Sequence, residues 1–291
     1  MRVGRNVKVT ALLAITLSFF LAHYLQPTLL YFPRVYEPDE FDESVKLVGR
    51  KDLDLLRLSY GRNMFSYLVY KRSAKDSGQP VSLFVLFGGN GMTALDWTEW
   101  IIDINPHMQN DINPAFLLVD YPGYGSNEGS PSPSSMNGCA AESLRKTLEV
   151  LNVSEINLLG HSIGAAVAAR FAASFEGRIK RLVLSAPFTS IVDMVPVLFP
   201  IVPQVVARMV ARHNWDNREA LKAIKANNNV EHIVISHGEN DEIVPWKMGK
   251  ELADSIGCFF VSVPGTSHND ILMHVKLFTF ILTSTPSSNK L

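Results

Sequence analysis

Apolar residues recur along this chain in two rhythms. Short, unbroken apolar stretches at Val81–Phe87, Ala115–Val119, Ile156–Leu159, Ile179–Leu184, Val230–Ser236 and Cys258–Val263 predict strands buried on both faces. Between them, apolar positions three and four apart predict helices over Thr93–Met108, Ser134–Leu151, Ala165–Phe175, Lys247–Ile256 and Ile271–Leu282. Leu144, Leu148 and Leu151 mark the apolar side of the second of these. Strands alternating with helices predict an α/β domain, a mostly parallel sheet with helices on both faces. Ahead of it, Leu53–Tyr60 and Met64–Lys71 flank Gly61-Arg62-Asn63 and predict a hairpin, and Ser73–Pro80 reads as a polar turn.

The alternation is expected to stop between Phe188 and Asn229. That stretch is apolar and punctuated by Pro196, Pro200 and Pro203, then amphipathic over Asn214–Ala226. Residues 188–229 are therefore expected to form a short apolar cap insertion within a domain spanning 34–291. Ligands of open α/β sheets bind at the carboxyl ends of the strands, so such an insertion is placed to cover a site.

One segment breaks the pattern of a soluble chain. Val9–Leu25 (VTALLAITLSFFLAHYL) carries no fixed charge, and Arg2, Arg5 and Lys8 precede it. A membrane anchor needs about 17–25 apolar residues, which puts this run at the short end. A cleaved signal peptide has the same basic start, but Phe20 before Ala22 spoils the pair of small residues that cleavage needs. A buried core helix is the third reading. The anchor is the expectation, with residues 1–33 forming a cytoplasmic tip and the span. The positive-inside rule then puts the remaining chain in the lumen or outside the cell, and a cleaved segment makes the protein secreted. Asn152-Val153-Ser154 is a glycosylation sequon in agreement with either topology.

Composition removes several classes. The chain has 291 residues, 47% hydrophobic and 19% charged, which supports a packed core. A net charge of −1 excludes the basic footprint of a nucleic-acid binder. Cys139 and Cys258 cannot build a disulfide framework, no Cys/His zinc spacing occurs, and whether the two cysteines pair stays open.

Chemistry concentrates at Leu158-Leu159-Gly160-His161-Ser162-Ile163-Gly164, a G-x-S-x-G motif between an apolar strand and a small-residue helix. A serine nucleophile at such a turn needs strained backbone angles, and the residues two before and two after it crowd one another. Gly160 and Gly164 stand at those positions. A hydroxyl needs a base and an orienting acid, in the chain order Ser, Asp or Glu, His. Asp241, after the strand ending at Ser236, is the candidate acid, and His268, after Val263, the candidate base. Glu239 and Glu242 are rivals that also read as solvated loop charges. His237 reads as structural, Asp270 as a helix cap and His161 as packing. Two backbone donors complete such a site. Ile163 N–H is one, and Asn90 in the loop Gly88-Gly89-Asn90-Gly91-Met92 is the other, with Gly89 or Gly91 the alternatives if the register slips.

These motifs, in this order, resemble the α/β-hydrolase superfamily and more narrowly its BEM46-like, membrane-linked group. The resemblance covers nearly the whole chain from about Gln26. Leu30-Tyr31-Phe32-Pro33 is similar to that group's entry segment, and Phe87-Gly88-Gly89-Asn90-Gly91 to its Phe-His-Gly-Asn loop, with Gly88 where the group has His. Asp120-Tyr121-Pro122-Gly123-Tyr124-Gly125-Ser126-Asn127-Glu128-Gly129, Ser185-Ala186-Pro187-Phe188-Thr189-Ser190 and Gly265-Thr266-Ser267-His268-Asn269-Asp270 also match. The resemblance implies an α/β-hydrolase fold and hydrolysis of esters, thioesters or amides, frequently of lipid or acylated-protein substrates. The mechanism expected here is an acyl-enzyme on Ser162, with no metal or organic cofactor. The apolar run Ile191–Val210 reads either as packing on the sheet or as an acyl-chain groove. A serine peptidase of the prolyl-oligopeptidase type and a non-catalytic, membrane-tethered interaction protein are the alternatives. The first lacks room for its usual propeller before Leu53, and the second typically lacks one of the three side chains.

Overall fold

Alternate side chains of the central strands feed two separate apolar layers. In the computed structural model, Val81, Leu83, Val85 and Phe87 join one core, while Phe84 and Leu86 join the other. The structure describes residues 20–73, 78–109 and 111–284. Its strands are β1 (Leu53–Gly61), β2 (Met64–Lys71), β3 (Val81–Phe87), β4 (Pro114–Val119), β5 (Val153–His161), β6 (Ile179–Ser185), β7 (Val230–Gly238) and β8 (Phe259–Val263). They form one sheet of order β1-β2-β4-β3-β5-β6-β7-β8. β2 is antiparallel to both β1 and β4, and every pairing from β4 to β8 is parallel.

Helices cover both faces, because strands buried on both sides need two layers. On the first face lie α4 (Pro133–Val150), α5 (Ile163–Ser174), α8 (Asn217–Asn227) and α9 (Trp246–Ile256). On the second lie α2 (Glu40–Gly49), α3 (Trp97–Ile104) and α10 (Val275–Thr283). Further helices are α1 over residues 20–30, α6 (Ile191–Leu198) and α7 (Gln204–Val210). Local chemistry sets the ends. Ser132 accepts the Ser135 N–H at 3.1 Å and Pro133 opens α4, where a missing N–H costs nothing. The helix expected over Thr93–Met108 is instead α3 flanked by two short 3₁₀ turns, the second containing Pro106.

The stretch expected as a single insertion divides in two. α8 is the crossover helix between the parallel neighbours β6 and β7, with Leu221 and Ile224 buried in the first core. The strand–helix alternation therefore continues through Asn217–Asn227. Only the chain between the bridge partners Ser190 and Asp216 leaves the sheet, and that bridge closes the excursion. α6 and α7 lie within it.

The entry segment after α1 is pinned to the sheet by buried polar groups. Tyr36 donates its hydroxyl to Asp120 at 2.6 Å, and Asp120 also accepts the Ala94 N–H at 2.7 Å. Burial raises the Asp120 carboxyl pKa to about 7, against the pull of these two donors. Cys139 and Cys258 are free thiols. Residues 9–19 of the apolar run lie outside the described residues, and residues 20–25 lie in α1. Among the described residues, no helix is long and apolar enough to cross a membrane.

Candidate active site

Four strand ends bring the candidate residues to one edge of the sheet. β5 ends at His161, one residue before Ser162; β3 ends before the loop holding Asn90; β7 ends before Asp241; β8 ends before His268. Ser162 has φ +56° and ψ −119°, outside the allowed regions for a residue with a side chain, and it caps α5. Its N–H donates to Ser185 O at 2.9 Å, which ties the turn to the neighbouring strand end. The glycines around it are required by close approach. A Cβ on Gly160 would lie 2.1 Å from Gly164 O, and one on Gly164 would lie 2.1 Å from Phe87 O. A side chain at either position forces this turn open.

The candidate acid and base meet. His268 Nδ1 lies 2.7 Å from Asp241 Oδ2. Asp241 Oδ1 accepts two further hydrogen bonds, from the N–H groups of Ile243 at 2.9 Å and Val244 at 2.7 Å. Burial alone would raise this carboxyl, but hydrogen bonds from His237, His268 and Val244 outweigh it and hold the pKa well below the usual carboxylate range. Asp241 is therefore an anion that orients the imidazole. The two loops meet because Gly238 lacks a side chain: a Cβ there would lie 2.3 Å from Thr266 O.

Ser162 is adjacent to this pair. The His268 ring lies 4.9 Å, centroid to centroid, from the ring of His161, the residue preceding Ser162. Among the described residues the Ser162 hydroxyl forms no hydrogen bond with His268. In unliganded sites such contacts are often long and tighten when substrate binds.

The donor pair is open. Neither Asn90 N–H nor Ile163 N–H has an acceptor among the described residues, whereas the alternative donor, Gly89 N–H, contacts Met92 Sδ at 3.2 Å. The Asn90 side chain shapes the loop. It donates to Leu30 O at 2.8 Å and accepts from Phe32 N–H at 2.9 Å and Tyr124 O–H at 3.0 Å. With glycine at position 88, Tyr121 O–H holds the loop by donating to Gly88 O at 2.9 Å.

Other candidates take different places. Glu239 accepts the Ser262 hydroxyl, and Glu242 accepts the His268 backbone N–H at 3.2 Å, so neither binds the imidazole. Asp270 is not the cap it was expected to be. Ser267 Oγ accepts the Asp270 N–H, and the Ser267 hydroxyl donates to the Asp270 carboxylate. His237 does more than pack. Its Nε2 lies 3.0 Å from Val244 O, which can only accept, so this nitrogen carries the proton and also reaches Asp241 Oδ2 at 3.1 Å. His161 is buried beside His268, and burial followed by that neighbour's charge lowers its pKa to about 3. It is a neutral wall for the imidazole. The reading of His161 as packing fits this wall; for His237 the reading as structural carried no sign of its contact with Asp241, four residues on in the same turn.

Comparison with known proteins agrees with the architecture. Residues 82–221 match the α/β-hydrolase fold family model. Over 286 residues the chain is 30% identical to Protein bem46 of Schizosaccharomyces pombe, covering 93% of this chain and 89% of that one. Among solved structures, MGS-M2, an α/β-hydrolase enzyme from a deep-sea metagenome library, aligns with a TM-score of 0.56 at 18% identity, covering 81% of this chain and 100% of that one. A thioesterase domain from the curacin biosynthetic pathway aligns with a TM-score of 0.55 at 13% identity, covering 79% of this chain and 99% of that one.

Proposed function

This chain belongs to the α/β-hydrolase family and is BEM46-like, and from that premise we propose that it is a serine hydrolase cleaving carboxylic esters or thioesters through an acyl-enzyme on Ser162. The observation that carries the proposal is the Asp241–His268 hydrogen bond beside the strained turn of Ser162. His268 takes the Ser162 proton as the hydroxyl oxygen bonds to the acyl carbon. Asp241 holds Nδ1 protonated, so Nε2 is the free base. The Ile163 and Asn90 amides stabilise the oxyanion, each worth roughly 3–4 kcal/mol in the barrier. The imidazolium then passes its proton to the departing alcohol or thiol. Water attacks the acyl-enzyme with His268 again as base, releasing the acid and restoring the hydroxyl.

A fluorophosphonate probe tests this reading. The expected result is stoichiometric labelling of the folded protein that disappears in Ser162→Ala, together with its turnover of a p-nitrophenyl ester. Equal labelling or turnover by Ser162→Ala refutes the nucleophile, and no labelling of folded parent protein favours a non-catalytic role.

A groove of about 350 Å³, lined by Leu30, Ile191, Met194 and Val195 among others, supports an apolar acyl group as the substrate portion selected. A matched ester series is expected to show kcat/KM rising from acetyl toward long chains. Strict acetyl preference removes the lipid or acylated-protein reading. The N-terminal run supports a single-pass anchor with the domain on the lumenal or external side. Asn152 is exposed, which is compatible with glycosylation there. A mobility shift on glycosidase treatment, absent in Asn152→Gln, tests that topology.

A further inference from the structure

α1 has its polarity reversed relative to an ordinary surface helix. Its His23 and Gln26 side chains turn toward the protein. Gln26 Oε1 accepts the backbone N–H groups of Arg212 at 2.9 Å and His213 at 2.7 Å, and His23 Nδ1 lies 3.2 Å from Val210 O. Phe20, Leu21, Tyr24, Leu25 and Leu29 are exposed instead, Leu29 at 65%. The neighbouring excursion repeats this arrangement. Ile191, Met194 and Ala207 are buried, while Val197, Leu198, Phe199, Ile201, Val205 and Met209 face outward. Ile201 is 95% exposed at the tip, between Pro200 and Pro203. The two elements share the walls of one apolar groove, and the exposed Leu29, Leu198 and Phe199 line it, so the two exposed apolar sets adjoin at its rim. Water penalises such a face, and monomeric soluble proteins rarely carry large ones.

Three observations identify what covers it. The face continues the uncharged run Val9–Leu25, whose last residues, 20–25, lie in α1. Charge around it is one-signed: between Ile191 and Asn214 the fixed cations are Arg208 and Arg212, and the sole acid is Asp193. Asp193 is already consumed, accepting from Ser190 and Thr189 hydroxyls, Gln204 and Arg218. Arg212 lies over the Tyr24 ring at 5.9 Å, an aromatic–cation pair of the kind found at membrane interfaces. We infer that the outward side of α1 together with residues 197–209 is a seat on a lipid bilayer containing anionic headgroups. The tip at Ile201 enters the acyl region, and the arginines meet the headgroups. Residues 197–209 thereby add a second contact to the one made by the end of the N-terminal run, and the apolar groove opens toward the lipid phase.

The test reconstitutes the full chain in phosphatidylcholine–phosphatidylserine vesicles. An environment-sensitive fluorophore is attached to Ile201→Cys or Met209→Cys in a Cys258→Ser background, Cys139 being buried. Leu148→Cys, on α4 and remote from the strand ends that carry the site, is the reference. The expected result is at least a twofold loss of emission at 201 and 209 with spin-labelled acyl chains, and none at 148. Labels at 201 and 209 that remain accessible to an aqueous quencher in reconstituted protein overturn the seat. So does shielding without lipid quenching that accompanies cross-linking of two copies, because a second chain then covers the face. The readout is independent of catalysis, so loss of the proposed hydrolase activity leaves it intact.

Discussion

Replacing Asp241 by Asn tests the proposed catalytic geometry most directly, because the structure fixes how the new amide must turn. Asp241 Oδ1 receives two main-chain N–H groups, at 2.9 and 2.7 Å. Only an oxygen can stay there, so the Asn NH₂ takes the place of Oδ2. There it meets His268 Nδ1 and His237 Nε2. His237 cannot adapt by shifting its proton, because Val244 O at 3.0 Å requires Nε2–H. His268 can adapt, and does so by becoming an acceptor at Nδ1. Its proton moves to Nε2, the nitrogen that must receive the Ser162 proton. A base held in the wrong tautomer costs on the order of 10⁴-fold in kcat, about 5.5 kcal/mol in the barrier. The donor–donor clash with His237 costs a further 1–3 kcal/mol of stability, roughly, seen as a melting point lowered by several degrees. The assay is kcat on a p-nitrophenyl ester, with imidazole ¹⁵N shifts reporting the tautomer. A folded Asp241→Asn protein that keeps kcat within tenfold of the parent, or that keeps His268 protonated at Nδ1, refutes the reasoning.

Gly164→Ala puts a methyl 2.1 Å from Phe87 O. The overpacking is expected to cost about 3 kcal/mol, lowering Tm by about 6–12 °C in a domain of this size, with a loss of activity because β3 leads into the Asn90 loop. Gly138→Ala, in α4 with nothing within 4 Å of the new methyl, is expected to raise Tm by about 1–4 °C; differential scanning calorimetry of both variants checks the contrast. Asp120, with a folded pKa of about 7 against about 3.9 unfolded, keeps a proton in the native state that the unfolded chain releases. Its stabilising effect is complete below about pH 4 and disappears as pH rises to about 7, a change on the order of 4 kcal/mol. Urea unfolding at pH 5 and pH 8 is expected to show the fall in the parent and a flatter profile in Asp120→Asn; parallel profiles count against the assignment.

The sheet was legible in the sequence because its strands are buried on both faces and so appear as unbroken apolar runs. Val81–Phe87 is bounded as expected, and the hairpin Leu53–Lys71 appears because Asn63 accepts a positive φ at its turn. The elbow was legible for a steric reason, since Gly160 and Gly164 admit no substitute. The pattern is silent on which part of residues 188–229 leaves the sheet. The helical pattern of Asn214–Ala226 looks the same whether its apolar side meets a sheet layer or covers a site, and only the β6–β7 pairing decides between them. The contacts of the supporting histidines were illegible for a related reason. His237 and His161 act through a Val244 carbonyl and a ring contact, respectively, and neither leaves a spacing in the sequence.

Chemistry and selection are built from different materials in this fold. The side chains and donors proposed for catalysis follow directly from strand ends locked into a parallel ladder, and Asp241 is held by four donors from three elements or loops. The groove that would select the acyl group is lined by α1, α6 and α7, which follow no ladder; Ile191 and Met194 pack into the first core, and Gln26 of α1 bonds the chain after α7 at residues 212 and 213. The α1–α7 face lies off the ladder that fixes the Asp241–His268 pair. A bilayer against that face then shifts access to the groove without altering the geometry of the reacting groups. Separate control of access and chemistry follows from where the ladder ends.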